Sequence, residues 1–224
     1  MQVIRPRLVP VKFCCPSAGL RAALLLLLVA SYLSSPLAWG QGSKLAQTAI
    51  VFYADRHVGE SLWTPLFDAF RAEAAEERQE YPLPENFELV RASELATGQE
   101  FGGLIEVRLI GRCDVAEQAY RPLPKGPLGW VVRASGEIQP FIYVDCGRLA
   151  QYLGPATQGL NEDQRAAAMA RAISRVAIHE WIHIDTQSAR HEGHGVRQAE
   201  LSSHDLIHDL IHDLAGTSRI PGGR

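Results

Sequence analysis

The sequence predicts an α+β fold, and three observations predict it. The β-forming segments cluster before residue 145. The longest helical pattern comes after residue 160. Hydrophobic residues make up 46% and charged residues 21% of the 224, the composition of a chain with a packed core. Strands first and helices last is the order of an α+β domain, and about 180 residues suffice for one such domain.

The elements follow in order. Thr48 to Tyr53 (TAIVFY) is rich in β-formers and reads as a strand. Ser61 to Glu80 reads as a helix, with Leu62, Leu66, Ala69 and Phe70 at 3.6-residue spacing and Ser61 available as its cap. Pro82 and Pro84 end it, and Phe87 to Val90 forms a short strand. Leu104 to Ile110 alternates: Ile105, Val107 and Leu109 face one way, Glu106 and Arg108 the other, as in a half-buried strand. A loop is marked by Pro122, Pro124, Gly126 and Pro127. Gly129 to Arg133 and Ile138 to Val144 read as two strands joined by a tight turn at Ser135-Gly136. A long helix starts at Asn161, with Gln164 placed to complete a capping box, and no Pro or Gly interrupts the chain to Arg190. Ile173, Val176, Ala177 and Ile184 supply its apolar stripe. A polar loop, Gln187 to Arg197, precedes a final helix over Ser203 to Leu214, and residues 216–224 read as a disordered tail.

The first forty residues read as an address. Arg5, Arg7, Lys12 and Arg21 precede the apolar run Ala22 to Ala30, and small residues follow up to Gly40, the order of a secretory signal. The run is well short of the roughly 20 residues of a spanning helix. An uncleaved anchor is the alternative. The expected mature chain begins after Gly40, is exported, and makes no stable membrane insertion. It holds 18 bases and 25 acids, a net charge of −7. Such an acidic body disfavours nucleic acid as the partner, because phosphate binding needs a basic footprint. Cys14 and Cys15 leave with the signal, so only Cys113 and Cys146 remain. In an oxidising compartment that pair suggests a disulfide, which stabilises by roughly 3 to 4 kcal/mol on a chain-entropy estimate.

His179-Glu180-Trp181-Ile182-His183 places two histidines four apart inside the long helix. Residues at that spacing lie one above the other, so both imidazoles can reach one metal ion. Glu180 then projects beside the ion, where it can hold and deprotonate a water. Zinc lowers a water's pKa toward about 7 and polarises a carbonyl, and Glu180 can pass the proton to a leaving amine. Trp181 belongs to packing. His204, His208 and His212 form a second histidine stripe at helical spacing. It can bind a metal or sense pH, but its simpler reading is the polar edge of an amphipathic helix that buries Leu206, Ile207, Leu210, Ile211 and Leu214.

These residues resemble the zincin metallopeptidases, tightly over residues 179–183 and loosely over 48–214. The resemblance implies a zincin-like fold, a small mixed sheet packed on the active-site helix plus a C-terminal helix. It also implies Zn2+ as cofactor, a peptide or protein substrate, and an edge strand that binds extended substrate; Ile138 to Val144 is the strand in that part of the chain. Zincins take a third ligand after the motif. The metzincin position, six residues past His183, is Ala189, and no methionine follows the motif, so that clan's signature is broken. Glu200 lies close to the motif for a gluzincin ligand. His191, eight residues past His183, is the first candidate, ahead of His194 and Glu200. The loop's glycines allow the chain to turn an imidazole back to the helix. The chain is also similar to a group of exported bacterial zincin-like proteins in which the motif helix is followed by a histidine loop, Gly-Val and Ser-x-x-Asp-Leu. Here those are His191, Gly195-Val196 and Ser202 to Leu206.

The expectation is an exported zinc peptidase with metal ligands His179, His183 and His191 and general base Glu180. His194 is a guess for the oxyanion stabiliser. The alternatives are a zinc-stabilised exported binding protein without turnover, and a membrane-anchored interaction protein whose histidine helix is incidental.

Overall fold

The computed structural model describes residues 47–55, 58–81, 83–115, 126–191 and 194–207, all within the unit Lys44–Arg224. The expected signal segment, His57, the prolines at 122 and 124, His208 and His212, the second half of the final helix and the tail lie outside the described residues.

Five strands form one mixed sheet in the order β2-β1-β3-β5-β4. They are β1 (Thr48–Ala54), β2 (Phe87–Arg91), β3 (Gly103–Ile110), β4 (Gly129–Ala134) and β5 (Glu137–Asp145). The pairs β1–β2, β1–β3 and β3–β5 are parallel, and β4 pairs antiparallel with β5. The apolar run of β1 follows from its central place. Ile50 and Phe52 enter the main core, while Ala49 and Val51 are buried on the opposite face beneath Leu95 and Phe101. A strand covered on both faces reads as continuously hydrophobic.

Among the described residues, three complete α-helices accompany the sheet: α1 (Glu60–Glu77), α2 (Cys146–Leu153) and α3 (Glu162–Thr186). The expected α+β class holds. Helix α3 carries the expected capping box, with the Asn161 side chain accepting from the Gln164 N–H and the Gln164 side chain accepting from the Asn161 N–H. It is buried along most of its length, and alanines at 168, 170, 172 and 177 let neighbours approach its axis. Ser174 marks one such approach, its hydroxyl donating to Leu66 O of α1 and to Ala170 O. Trp181 packs as expected, stacked on Phe70 and edge-on to Phe87.

Four expectations change. Helix α1 starts at Glu60 with Gly59 at the cap and no side-chain cap bond, so Ser61 lies inside it. Glu106 is buried, because β3 is an interior strand and the Arg108 guanidinium lies over that face, bonded to Glu106. Helix α2 is an addition: Asp145 caps it by accepting from the Arg148 N–H, and Cys146, Leu149, Ala150 and Leu153 bury its inner face. Strand β5, which contains Ile138 to Val144, is hydrogen-bonded on both sides, so among the described residues the sheet's edge near the long helix is β4 instead.

The β4–β5 turn has the predicted geometry. Ser135 (φ 53°) and Gly136 (φ 88°) are both left-handed, as a two-residue hairpin loop requires. Cys113 and Cys146 form a disulfide across 33 positions of sequence, tying the segment after β3 to the first residue of α2. Among the described residues the final helix is represented by 203–207, with Leu206 and Ile207 buried. No helix among the described residues is long and apolar enough to cross a membrane.

Candidate metal centre

The last two turns of α3 carry His179, Glu180 and His183. Helical spacing brings the two imidazoles together edge to face, with ring centroids 4.7 Å apart and planes at 87°. The chain leaves α3 through Gln187, whose left-handed backbone (φ 51°, ψ 29°) turns the following residues back along the helix. That reversal brings His191 to the pair. His183 Nε2 lies 3.1 Å from His179 Nε2 and 3.2 Å from His191 Nε2. One ligand atom from each of the three falls within a 4.8 Å group, and together they could hold a metal ion.

The tautomers are set by the backbone. His179 Nδ1–H donates to Val196 O at 2.5 Å, and His183 Nδ1–H donates to Ser188 O at 2.6 Å. A carbonyl can only accept, so each of these rings keeps its proton on Nδ1 and turns a bare Nε2 lone pair inward. Burial holds both rings neutral. His179 is pushed down to about 4, chiefly by desolvation, with the neighbouring imidazoles adding to the effect and the Val196 carbonyl opposing it. His183 is lowered too, again mainly by desolvation. Neutral imidazoles with converging lone pairs suit a divalent cation.

The spacing also suits one. Nitrogens about 2.0–2.1 Å from a tetrahedral ion stand roughly 3.3 Å from each other. The two Nε2 separations of 3.1 and 3.2 Å lie close to that value.

Glu180 is buried beside the cluster, and desolvation raises its carboxyl to about 7. It lies against the start of the edge strand, where a β-carbon on Gly129 would sit 3.4 Å from Glu180 Oε1. That same β-carbon would come 2.4 Å from Val176 Cγ1 and 3.0 Å from the Tyr143 carbonyl oxygen. Only a residue without a side chain lets β4 approach α3 this closely. Gly129→Ala is therefore expected to destabilise the fold by about 1–3 kcal/mol, the usual cost of overpacking. Thermal unfolding checks this, and an unchanged melting temperature contradicts it.

The three histidines and Glu180 open onto a cavity of about 750 Å³. Gly129, Trp130 and Val131 of β4 form part of its wall, and Tyr152 and Leu201 another. Of the other proposed ligands, Glu200 lines this cavity outside the histidine group. His194 does not line it. Its Nε2 is 3.2 Å from Glu80 Oε2, so it is engaged there and not at the cavity where an oxyanion would be stabilised. His204 lies instead beside the buried Glu73–Arg175 pair, at a separate pocket.

Sequence reasoning missed four contributors: the carbonyls of Ser188 and Val196, the edge strand, and the clearance at Gly129. A carbonyl belongs to every residue, and an edge is a property of strand order. Gly129 alone was visible, as a glycine opening a strand. Compared with protein-family models, with curated proteins and with solved structures, the chain matches none.

Proposed function

We propose that this protein is an exported zinc-dependent peptidase of zincin type. One observation carries the reading: three imidazoles converge beside a buried glutamate at a cavity that is also lined by β4, an edge of the sheet among the described residues. His179, His183 and His191 would hold the ion through Nε2. Three imidazole donors within one 4.8 Å group, two of the separations near the tetrahedral value, suit zinc and leave a position open. Bound there, the ion supplies Lewis-acid polarisation of a carbonyl and eases deprotonation of a water.

The remaining work falls to the chain. Glu180 accepts the water's proton and returns it to the departing amide nitrogen. Its burial keeps its proton affinity near neutrality, the range in which one group can act as base and then as acid. Strand β4, whose outer side pairs with no other strand among the described residues, offers that hydrogen-bonding row to an extended peptide, and such pairing gives affinity with little sequence demand. The antiparallel edge strand over the motif helix also supports the zincin likeness in fold. The Cys113–Cys146 bridge supports export, since disulfides persist in oxidising compartments.

The test is hydrolysis of an unstructured protein such as casein. Activity should disappear on chelation, return with one equivalent of zinc, and stay absent with magnesium. A zinc-loaded protein that cleaves neither casein nor a mixed peptide library points to the binding protein without turnover.

A further inference from the structure

Two of the three histidine ligands are oriented by carbonyls of the segment that follows α3, and that segment carries the third. The geometry of the centre therefore depends on what holds this segment at its two ends. At the first end, Gln187 forms a two-point bond to strand β5. Its Oε1 accepts from the Ile138 N–H at 2.8 Å, and its Nε2 donates to the Ile138 carbonyl at 3.0 Å. Only one amide orientation satisfies both. The same Nε2 donates to Ile184 O at 2.7 Å, closing the end of the helix. This grip holds Gln187 in the left-handed region, a strained place for a residue with a side chain. The next residue presents the carbonyl that orients His183.

At the second end, Gly195 (φ 61°) turns the chain so that Val196 is buried and its carbonyl meets His179. Arg197, next in sequence, reaches the last turn of α1 and the residues beyond it. Its Nε lies 3.7 Å from Glu77 Oε2, and its Nη2 bonds to Glu80. The Arg197 and Glu77 side chains are 10% and 12% exposed, so solvent screens this pair less than a surface pair. Each grip is thus one residue from a carbonyl that orients a histidine.

We infer that Gln187 and Arg197 are positioning residues that set metal affinity, gripping the two ends of the returning segment so that Ser188 and Val196 hold His183 and His179 in the ligating orientation. This rests on the metal reading above, and it adds the part of the chain that builds the centre before an ion arrives. Loss of groups that orient metal-bound histidines weakens binding by about 10–100-fold.

The experiment measures zinc dissociation constants by competition with a chromogenic chelator, and the visible spectrum of the cobalt form. The proteins are wild type, Gln187→Ala, Arg197→Ala, Arg197→Lys and, as a control, Arg112→Ala, whose exposed pair with Asp114 is no part of either grip. The expected result is about tenfold or greater weakening in Gln187→Ala and Arg197→Ala, with an altered cobalt spectrum. Arg197→Lys should stay within about threefold of wild type, since it keeps the charge facing Glu77 and Glu80. A merely structural role would lower the melting temperature of the metal-free protein and leave the dissociation constant alone. Binding within about twofold of wild type in both alanine variants overturns the inference and leaves the metal site standing. A wild-type protein that binds no zinc overturns the metal reading itself. Gln187 is exposed, so its alanine variant decides the matter if Arg197→Ala does not fold.

Discussion

Purified protein carrying His179→Ala or His191→Ala is expected to lose most of the roughly one zinc ion that wild type binds, whereas His194→Ala keeps it. Elemental analysis after dialysis gives the readout. The expectation follows from the ligand count. Three imidazoles offer ligand atoms within 4.8 Å of one another, and two retain an ion far more weakly than three. His194 is a close neighbour in sequence and an equally good ligand by type, but it is engaged with Glu80. The same series has a second readout in stability. An ion that binds only the folded chain stabilises it by about 4 kcal/mol at a thousandfold excess over its dissociation constant. For a domain of this size that raises the melting temperature by roughly 8–16 °C. The increment should appear in wild type and His194→Ala on adding zinc and be largely missing from the other two. If His194→Ala loses the ion while His191→Ala retains it, the ligand assignment is wrong.

The parts of this site that sequence makes legible are those set by local periodicity. A four-residue step inside a helix puts His179 above His183 whatever the surrounding fold, and the Asn161 capping box with an unbroken run beyond it identifies the helix. The Ser135-Gly136 hairpin was readable for the same reason, since its geometry is local. Strand order is not local. Residues 138–144 have the alternation of a strand, but nothing in them says that β3 will pair on one side and β4 on the other. The edge that the alternation of residues 138–144 suggests accordingly lies one strand further out, at β4, among the described residues. Glu106 misled in a related way. Its charge implied exposure, and only the parallel neighbours of β3 and the overlying Arg108 make a buried place for it. Helix α2 is hard to read from sequence because it is short, although Asp145 before an apolar i, i+4 pair is a usable start signal. His191 stood between these extremes. Residue type and a flexible loop made it a candidate, but its convergence on the pair depends on the reversal at Gln187, which no residue preference announces.

Glu180→Gln is expected to keep the zinc and lose about 10²- to 10⁴-fold in peptide hydrolysis, the usual contribution of a general base. The substitution changes no atom positions in the side chain, so the packing against Val176 and Gly129 survives. It also removes a carboxyl whose ionised form is disfavoured by burial, so the metal-free fold should be no less stable than wild type. Loss of activity with unchanged melting and unchanged zinc content then has one explanation, that the carboxylate handles the proton. Glutamine can hold a water by hydrogen bond but cannot take its proton, so the residual rate should depend on pH far less steeply around neutrality than the wild-type rate. Hydrolysis at the wild-type rate with zinc in place would mean that Glu180 is only a buried neighbour of the histidines. The proton acceptor would then have to be sought among the other groups at the cavity, of which Glu200 is the one remaining carboxylate along its described lining.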